Sequence, residues 1–324
     1  MKNRILEILQ KTDEYMSGEK IGKTLGISRT AIWKGIKKLK DEGYVIEAVK
    51  NKGYKILKSG DILNETEISL GLKTKYIGRK MIVLDSVDST NNYLRTLAFN
   101  NVPNGTTVIT LKQEQGKGRR GKSWISARNE GLWMSILLKP EVEPKDASKI
   151  TLITGLRVCQ TLKELGFNAS IKWPNDVIIN NKKVCGILTE MNTQIERVDF
   201  VIVGVGININ NESFPEELMD IAISLKMADG VGEKRSIVAY KVLNNFEKNY
   251  LLFEEKGFSS LKAKYEENCI TLNKDVEVLS KNNFSGQAVR IDENGELVVK
   301  KMDGTEETVF SNEVSVRGVL GWKK

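Results

Sequence analysis

The spacing of apolar residues changes character along this chain in a way that a single hydrophobic core cannot satisfy. Near the N-terminus, Ile5, Leu6, Ile8 and Leu9, then Ile21 and Leu25, then Ile32, Ile36 and Leu39 recur at helical intervals. The middle of the chain interleaves strand-like runs at 82–84, 106–111, 132–138 and 201–208 with a long amphipathic helix expected over 146–165, its buried stripe carrying Ile150, Ile153, Leu156 and Leu162. Another helix is expected over 236–255. After Cys269 come short β segments at 276–280, 284–291, 296–301 and 307–316, separated by the turns Glu293-Asn294-Gly295 and Met302-Asp303-Gly304. A chain of 324 residues also exceeds one ordinary core. The expectation is a multidomain α/β (α+β) protein with domains over 1–60, 66–268 and 269–324.

The same residues narrow the chemistry. No run of about 18 apolar residues occurs, so no membrane span is expected. Met1-Lys2-Asn3-Arg4 puts charge where a secretory signal needs an uncharged stretch, and the chain reads as cytoplasmic. Cys159, Cys185 and Cys269 lie far apart and are odd in number, the pattern of reduced, buried thiols. Histidine is absent altogether, which removes Ser–His triads, the usual zinc hydrolase motifs and imidazole acid–base catalysis. Chemistry must then run on Lys, Arg, carboxylates, backbone amides and a magnesium ion.

Charge is concentrated at one end. The first 60 residues hold fourteen Lys/Arg against seven Asp/Glu, which accounts for +7 of the net +8. A basic excess so confined is the electrostatic footprint of nucleic-acid binding. The local pattern sharpens this. Gly26 supplies a tight turn after the second short helix, and Ser28 is a good N-cap for the third. Opposite the apolar stripe of that third helix stand Arg29, Thr30, Trp33, Lys34, Lys37 and Lys38. Strands at 44–49 and 54–57, joined by Asn51-Lys52-Gly53, add a hairpin that would present Lys50 and Lys52. Helix, glycine turn, basic helix and hairpin make a winged helix-turn-helix, whose second helix of the motif enters the major groove. A helical interaction module with a basic face is the plainer alternative. Such units usually act as dimers, because one recognition helix reads few base pairs.

Beyond a short polar linker, the strand at 82–84 is followed by Asp88-Ser89-Thr90-Asn91, whose side chains can hydrogen-bond a small polar ligand or merely cap a helix over 92–99. Gly116-Lys117-Gly118-Arg119-Arg120-Gly121-Lys122 then combines glycine-freed amides with four cations, which suits a phosphate. The glycine spacing matches G-x-G-x-x-G formally, yet a strand-like run follows it, with no helix or acidic ribose partner, so a Rossmann site is rejected. In Lys172-Trp173-Pro174-Asn175-Asp176 the proline holds Trp173 extended and turns the chain. This leaves Lys172 as a cation for phosphate and Asp176 as a carboxylate for Mg²⁺. Lys183 leads into a strand in which Gly186 lets a ligand approach the backbone. Gly204-Val205-Gly206-Ile207-Asn208 closes the series, with the Asn208 carbonyl oxygen placed to join Asp176 at the metal.

Taken in order, these five segments resemble the biotin–protein ligases over essentially the whole chain, and the winged helix ahead of them resembles the bifunctional class that also represses biotin genes. The resemblance implies a class II synthetase-like catalytic domain and an SH3-like C-terminal barrel. It implies that biotin is held by Ser89, Thr90, Asn91, Gln113, Lys117, Gly118, Arg119 and Lys183, with the backbone near Gly186, Gly204 and Gly206 closing the pocket. ATP and the adenylate would fall to Gly116, Arg119, Arg120, Trp124, Lys172, Asn175, Asp176, Asn208, Glu313 and Arg317. Arg119, Lys183 and Lys172 would be catalytic. Lys117 departs from the arginine of many relatives and loses two-pronged geometry. The implied substrates are biotin and ATP with Mg²⁺, and biotinyl-5′-AMP is both bound intermediate and corepressor. The implied partners are biotin carboxyl carrier domains of acetyl-CoA carboxylase and pyruvate carboxylase, operator DNA of biotin genes and a second copy of the chain. A ligand-sensing regulator without catalysis and a lipoate–protein ligase are the rival readings.

Overall fold

The computed structural model describes every residue except 58–59, 194–196, 280–282, 312–314 and 319–324, with backbone alone for 315–318. The chain divides into two compact units, one of Met1–Gly71 with Lys234–Ile237, the other of Leu72–Glu233 with Val238–Lys324.

In the first unit, α1 (Lys2–Gln10), α2 (Gly18–Leu25) and α3 (Arg29–Asp41) bury Ile5, Leu6, Leu9, Ile21, Ile32, Ile36 and Leu39 in one core. Gly26 is left-handed at φ 68°, and Ser28 Oγ accepts from Ala31 N at 3.2 Å, so turn and cap are as their residue types dictate. The antiparallel wing pairs β1 (Ile46–Val49) with β2 (Gly53–Ile56). Met16 bridges to Tyr54 beside it, and a Cβ on Gly53 would lie 2.2 Å from Met16 O, so only glycine fits there. A short helix, α4 (Glu65–Gly71), follows.

The second unit is built on a seven-stranded mixed sheet. Its strands are β3 (Met81–Leu84), β4 (Thr107–Thr110), β5 (Gly131–Leu138), β6 (Ala169–Lys172), β7 (Asp176–Ile179), β8 (Lys182–Thr193) and β9 (Val198–Asn208), in the order β3-β4-β5-β9-β8-β7-β6. Only β3 and β4 run parallel. Every residue of β5 is buried, which explains why that strand reads as an apolar run broken only by Ser135. The helix α5 (Thr90–Phe99) packs on β4, β5 and β9. The helix expected over 146–165 is two pieces, α6 (Pro144–Ala147) and α7 (Lys149–Glu164), and the Ser148 hydroxyl at the junction donates to Lys145 O. The rest of the unit holds α8 (Leu225–Asp229), α9 (Arg235–Lys256) from its second turn, and α10 (Ser259–Glu267).

The C-terminal strands β10 (Asp275–Leu279), β11 (Phe284–Ile291), β12 (Leu297–Lys301), β13 (Glu306–Val309) and β14 (Ser315–Gly318) form one antiparallel sheet in the order β13-β12-β11-β10-β14. The run expected as one strand at 307–316 is thus split: β13 pairs with β12 and β14 with β10, on opposite edges. This sheet is keyed to the seven-stranded sheet through Trp173, between β6 and β7 and only 2% exposed, whose Nε1 donates to Gly295 O at 3.0 Å. Gly295 is left-handed at φ 83°, and a Cβ there would meet Leu152 of α7 at 2.4 Å. No helix among the described residues is long and apolar enough to cross a membrane.

Candidate active site and DNA-binding face

The site is assembled where β8 and β9 lie side by side, with Gly186 opposite Gly206 and Leu188 opposite Gly204. These glycines leave room for side chains from elsewhere. A Cβ on Gly204 would fall 2.4 Å from Asn91 Oδ1, one on Gly206 2.5 Å from Trp124 Nε1, and one on Gly186 2.8 Å from Trp124 Cζ3.

One wall is the start of α5. Ser89 holds the N-cap position but makes no side-chain capping bond, and the helix begins at Thr90 rather than Asn92. The Thr90 amide donates instead to Gln113 Oε1 at 2.9 Å, and the Thr90 hydroxyl reaches the same oxygen at 3.1 Å. Gln113 Nε2 donates to Ser126 Oγ at 2.8 Å. Beneath them the buried Ser135 Oγ lies 2.7 Å from Thr90 Oγ1 and 2.6 Å from Asn91 Oδ1. Asn91 Nδ2 donates to Glu190 Oε2 at 2.7 Å, and Glu190 pairs with Arg95 at 2.6 Å. The wall is a connected chain of oriented polar groups.

The glycine-rich segment folds over as a small hairpin. Trp124 N donates to Gly116 O at 2.8 Å and Gly118 N to Lys122 O at 2.7 Å. A Cβ on Gly116 would lie 2.2 Å from Trp124 O, which makes glycine obligatory there for a packing reason. Arg120 is left-handed at φ 57° and exposed. Lys117 Nζ donates to Asn92 Oδ1 at 2.7 Å. Arg119 turns inward: Nη1 donates to Asn175 Oδ1 at 2.8 Å and Nη2 to Ser311 O. Burial pulls the Arg119 guanidinium down from its ordinary range, and the carboxylates of Asp176 and Glu296 oppose that shift. Lys183 Nζ sits 2.6 Å from Asp176 Oδ1 and 5.1 Å from the centre of the Trp124 ring.

Together these groups enclose a narrow cavity of about 50 Å³. Ser89, Thr90, Asn91, Gln113, Lys117, Gly118, Arg119, Trp124, Asn175, Lys183, Gly186, Gly204 and Gly206 all line it. Its small volume follows from Trp124, whose indole lies on the glycine floor, edge-on to Trp133 at 6.4 Å, with its Nε1 buried and unpartnered. Gly116, Arg120, Lys172, Asp176 and Asn208 are not among the lining residues. Lys172 faces Asp176 across the β6–β7 register, and Asp176 touches the cavity through Lys183. Asn208 is buried at the end of β9, its Nδ2 donating to Ile223 O, whose own amide donates to Lys183 O. Glu313 lies outside the described residues, and Arg317 is described by backbone only, in β14. Sequence reasoning missed Ser126, Ser135 and Glu190, which carry no motif and act only through partners brought together by folding. All three cysteines are buried and free, their thiols pushed up by burial.

On the first unit, Ser28, Arg29, Thr30, Trp33, Lys34, Lys37 and Lys38 present an exposed face of α3, and Lys50 and Lys52 are exposed on the wing. Trp33 is 56% exposed with Lys37 Nζ 5.7 Å from its ring centre. An open cleft of about 810 Å³ runs between α3 and the wing, with Arg29, Thr30, Trp33, Lys50 and Asn51 along it. Lys52 and Lys55 both approach the Tyr15 ring, at 5.8 and 5.9 Å, a cluster that sequence spacing did not reveal.

Comparison with known proteins gives these surfaces a family. A model described as the biotin/lipoate A/B protein ligase family matches residues 83–208, an HTH domain model matches 2–55, and a biotin protein ligase C terminal domain model matches 271–317. The chain is 39% identical over 321 residues to the bifunctional ligase/repressor BirA of Bacillus spizizenii, covering 98% of each. It is 29% identical over 306 residues to the protein of the same description from Escherichia coli, covering 94% of each. Among solved structures, the biotin protein ligase from Aquifex aeolicus in complex with biotin and ATP matches with a TM-score of 0.67 at 34% identity, covering 74% of this chain and 99% of that one. The chain belongs to the biotin–protein ligase family, in its bifunctional ligase/repressor branch.

Proposed function

We propose that this chain joins biotin to ATP in the cavity between α5 and the glycine-rich hairpin, passes the biotinyl group to a carrier lysine, and reports the bound adenylate to DNA. The observation that carries the reading is that one cavity has a neutral hydrogen-bonding side, Ser89, Thr90, Asn91 and Gln113, and a cationic one, Arg119 and Lys183 with Lys117 as a third cation in its lining. An uncharged polar ring system suits the first side and a carboxylate meeting a phosphate suits the second.

In the first step a carboxylate oxygen of biotin attacks the α-phosphorus of ATP, the bond to the β-phosphate oxygen breaks, and pyrophosphate leaves. Arg119 and Lys183 bind the oxygens on which negative charge collects, and the hairpin excludes water from the mixed anhydride. In the second step a lysine amine of the carrier attacks the acyl carbon, gives up a proton, and AMP departs. No step needs an imidazole. Asp176, with the Asn208 carbonyl oxygen, would hold the magnesium that accompanies ATP, one or two protein oxygens being enough beside phosphates and waters, and the ion would supply neutralisation of phosphate charge. Lys172, Asn175, Gly116 and Arg120 are assigned to the triphosphate side, and Glu313 and Arg317 to ATP from the C-terminal domain. Trp124 must leave the glycine floor for the ligands to enter, and it then stands beside the adenine.

The domains are assigned as 1–60 for DNA binding, 66–268 for catalysis and 269–324 for the C-terminal domain, which we read as an SH3-like barrel. The carriers are biotin carboxyl carrier domains, those of acetyl-CoA carboxylase and pyruvate carboxylase. The chain works in the cytoplasm, and biotinyl-5′-AMP strengthens a homodimer that binds operator DNA of biotin genes. The test against a lipoate-specific enzyme is competition: with both acids at equal concentration and limiting ATP, biotin should give nearly all the acyl adenylate. Equal or preferred use of lipoate would refute the substrate assignment, and no pyrophosphate with either acid would leave a ligand-sensing regulator.

A further inference from the structure

Among the described residues, Glu296 is, with Glu247, one of two carboxylates buried in the second unit. It lies just ahead of β12, is 9% exposed, and points into the molecule rather than to water. Its Oε2 accepts from the Ser311 amide at 2.6 Å, and the carbonyl of that same residue accepts from Arg119 Nη2. Its own amide is fixed by Asp292 Oδ1 at 2.9 Å, within the turn that Trp173 grips through Gly295 O. Arg119 borders two cavities at once, the one described above and a second about 50 Å³ in volume that Ser311 also lines. The backbone of Ser311 is therefore held at its N–H by a buried carboxylate and at its carbonyl by the hairpin guanidinium that enters the site.

We propose that Glu296 is a positioning residue for adenylate formation, fixing the backbone N–H of Ser311 so that the carbonyl on the other side of the same α-carbon docks Arg119 and holds the glycine-rich hairpin closed. This inference rests on the assignment of the cavity to biotin and ATP. A carboxylate buried at this position is costly, since burial drives its proton affinity up to about 7 against the opposing pull of the Ser311 amide and Arg119. A sheet needing only stability would be served as well by an apolar residue at that place, whereas a docking residue needs its backbone fixed by an acceptor aimed at its amide.

The experiment is a double-mutant cycle on full-length protein, reading biotin-dependent pyrophosphate release with thermal midpoints as controls. Glu296→Ala should lower kcat about tenfold, the loss for one charge-assisted positioning bond, with the KM for biotin changing less than kcat. Glu296→Gln keeps an acceptor oxygen and should stay within about twofold of wild type. In an Arg119→Lys background, which cannot make both guanidinium contacts, Glu296→Ala should cost less than about twofold more, because the two side chains act through one residue, Ser311. Equal fractional losses in both backgrounds, or full activity of Glu296→Ala, would overturn the proposal. If Glu296→Ala does not fold, Glu296→Asp replaces it in the cycle, retaining charge while shortening reach, with the same two outcomes. An inactive wild-type protein would instead overturn the functional reading itself.

Discussion

At the scale of single residues, the site depends on atoms that are missing as much as on those present. Gly204 carries no side chain because Asn91 Oδ1 would lie 2.4 Å from its Cβ, and Asn91 is in turn committed to Ser135 and Glu190. Gly204→Ala should push Asn91 out of line and disturb the wall that ends at Gln113. Adenylate formation should fall on the order of 10²-fold, the scale expected when a positioning group moves by about 1 Å. Steady-state kinetics on a folded variant checks this, and an unchanged rate would show that Asn91 does not order the wall. At this scale the sequence was informative where residue type and wording coincide, as in Ser89-Thr90-Asn91 and Lys183, all of which line the cavity. It was silent on Ser135, Glu190 and Glu296, since an isolated serine or glutamate acquires its meaning only from the atoms folded against it. Gly116 shows a further ambiguity: a phosphate loop and a tight hairpin both demand glycine, and packing against Trp124 O accounts for it here.

At the scale of elements, periodicity and capping carried the reading furthest where a face is clearly two-sided. The helix α3 buries Ile32, Ile36 and Leu39 and exposes its cations, so its start and its buried face followed from Ser28 and from spacing. Three helices of the chain, α4, α8 and α10, were not legible. In α10 only Leu261 and Tyr265 are buried, too few to set a period, and α4 and α8 are shorter still. The 307–316 run misled for a different reason, because alternation alone cannot tell one strand from two that cross to opposite sheet edges. For α3 the expected behaviour is electrostatic. Lys37→Ala should weaken binding to all duplex sequences alike and reduce the slope of log affinity against log salt by about 0.9, one phosphate contact. Arg29→Ala, nearer the helix N-terminus, should instead relax sequence preference. Titrations at several salt concentrations distinguish the two, and a Lys37→Ala slope equal to wild type would place that lysine away from the phosphates.

At the scale of the whole molecule, family and domain order were legible because five segments occur in one order and spacing behind a basic winged helix, a combination far more specific than any single motif. Coupling between the functions is a thermodynamic matter. If the adenylate favours a dimer, and the dimer favours operator DNA, then adenylate and DNA must strengthen one another's binding by the same factor. Gel-shift affinity for biotin-gene operator DNA should therefore rise when biotin and MgATP are supplied together, and it should not rise with either alone. Constant affinity would remove the switch while leaving the ligase intact.

The most direct test is a single-turnover measurement of biotinyl-5′-AMP. Wild-type protein mixed with biotin and MgATP, without carrier, should form close to one equivalent of adenylate that stays bound, whereas Lys183→Ala should form it far more slowly and Arg119→Gly should release it into solution. Adenylate formed and retained by both variants as by wild type would contradict a site in which these two cations hold the acyl phosphate.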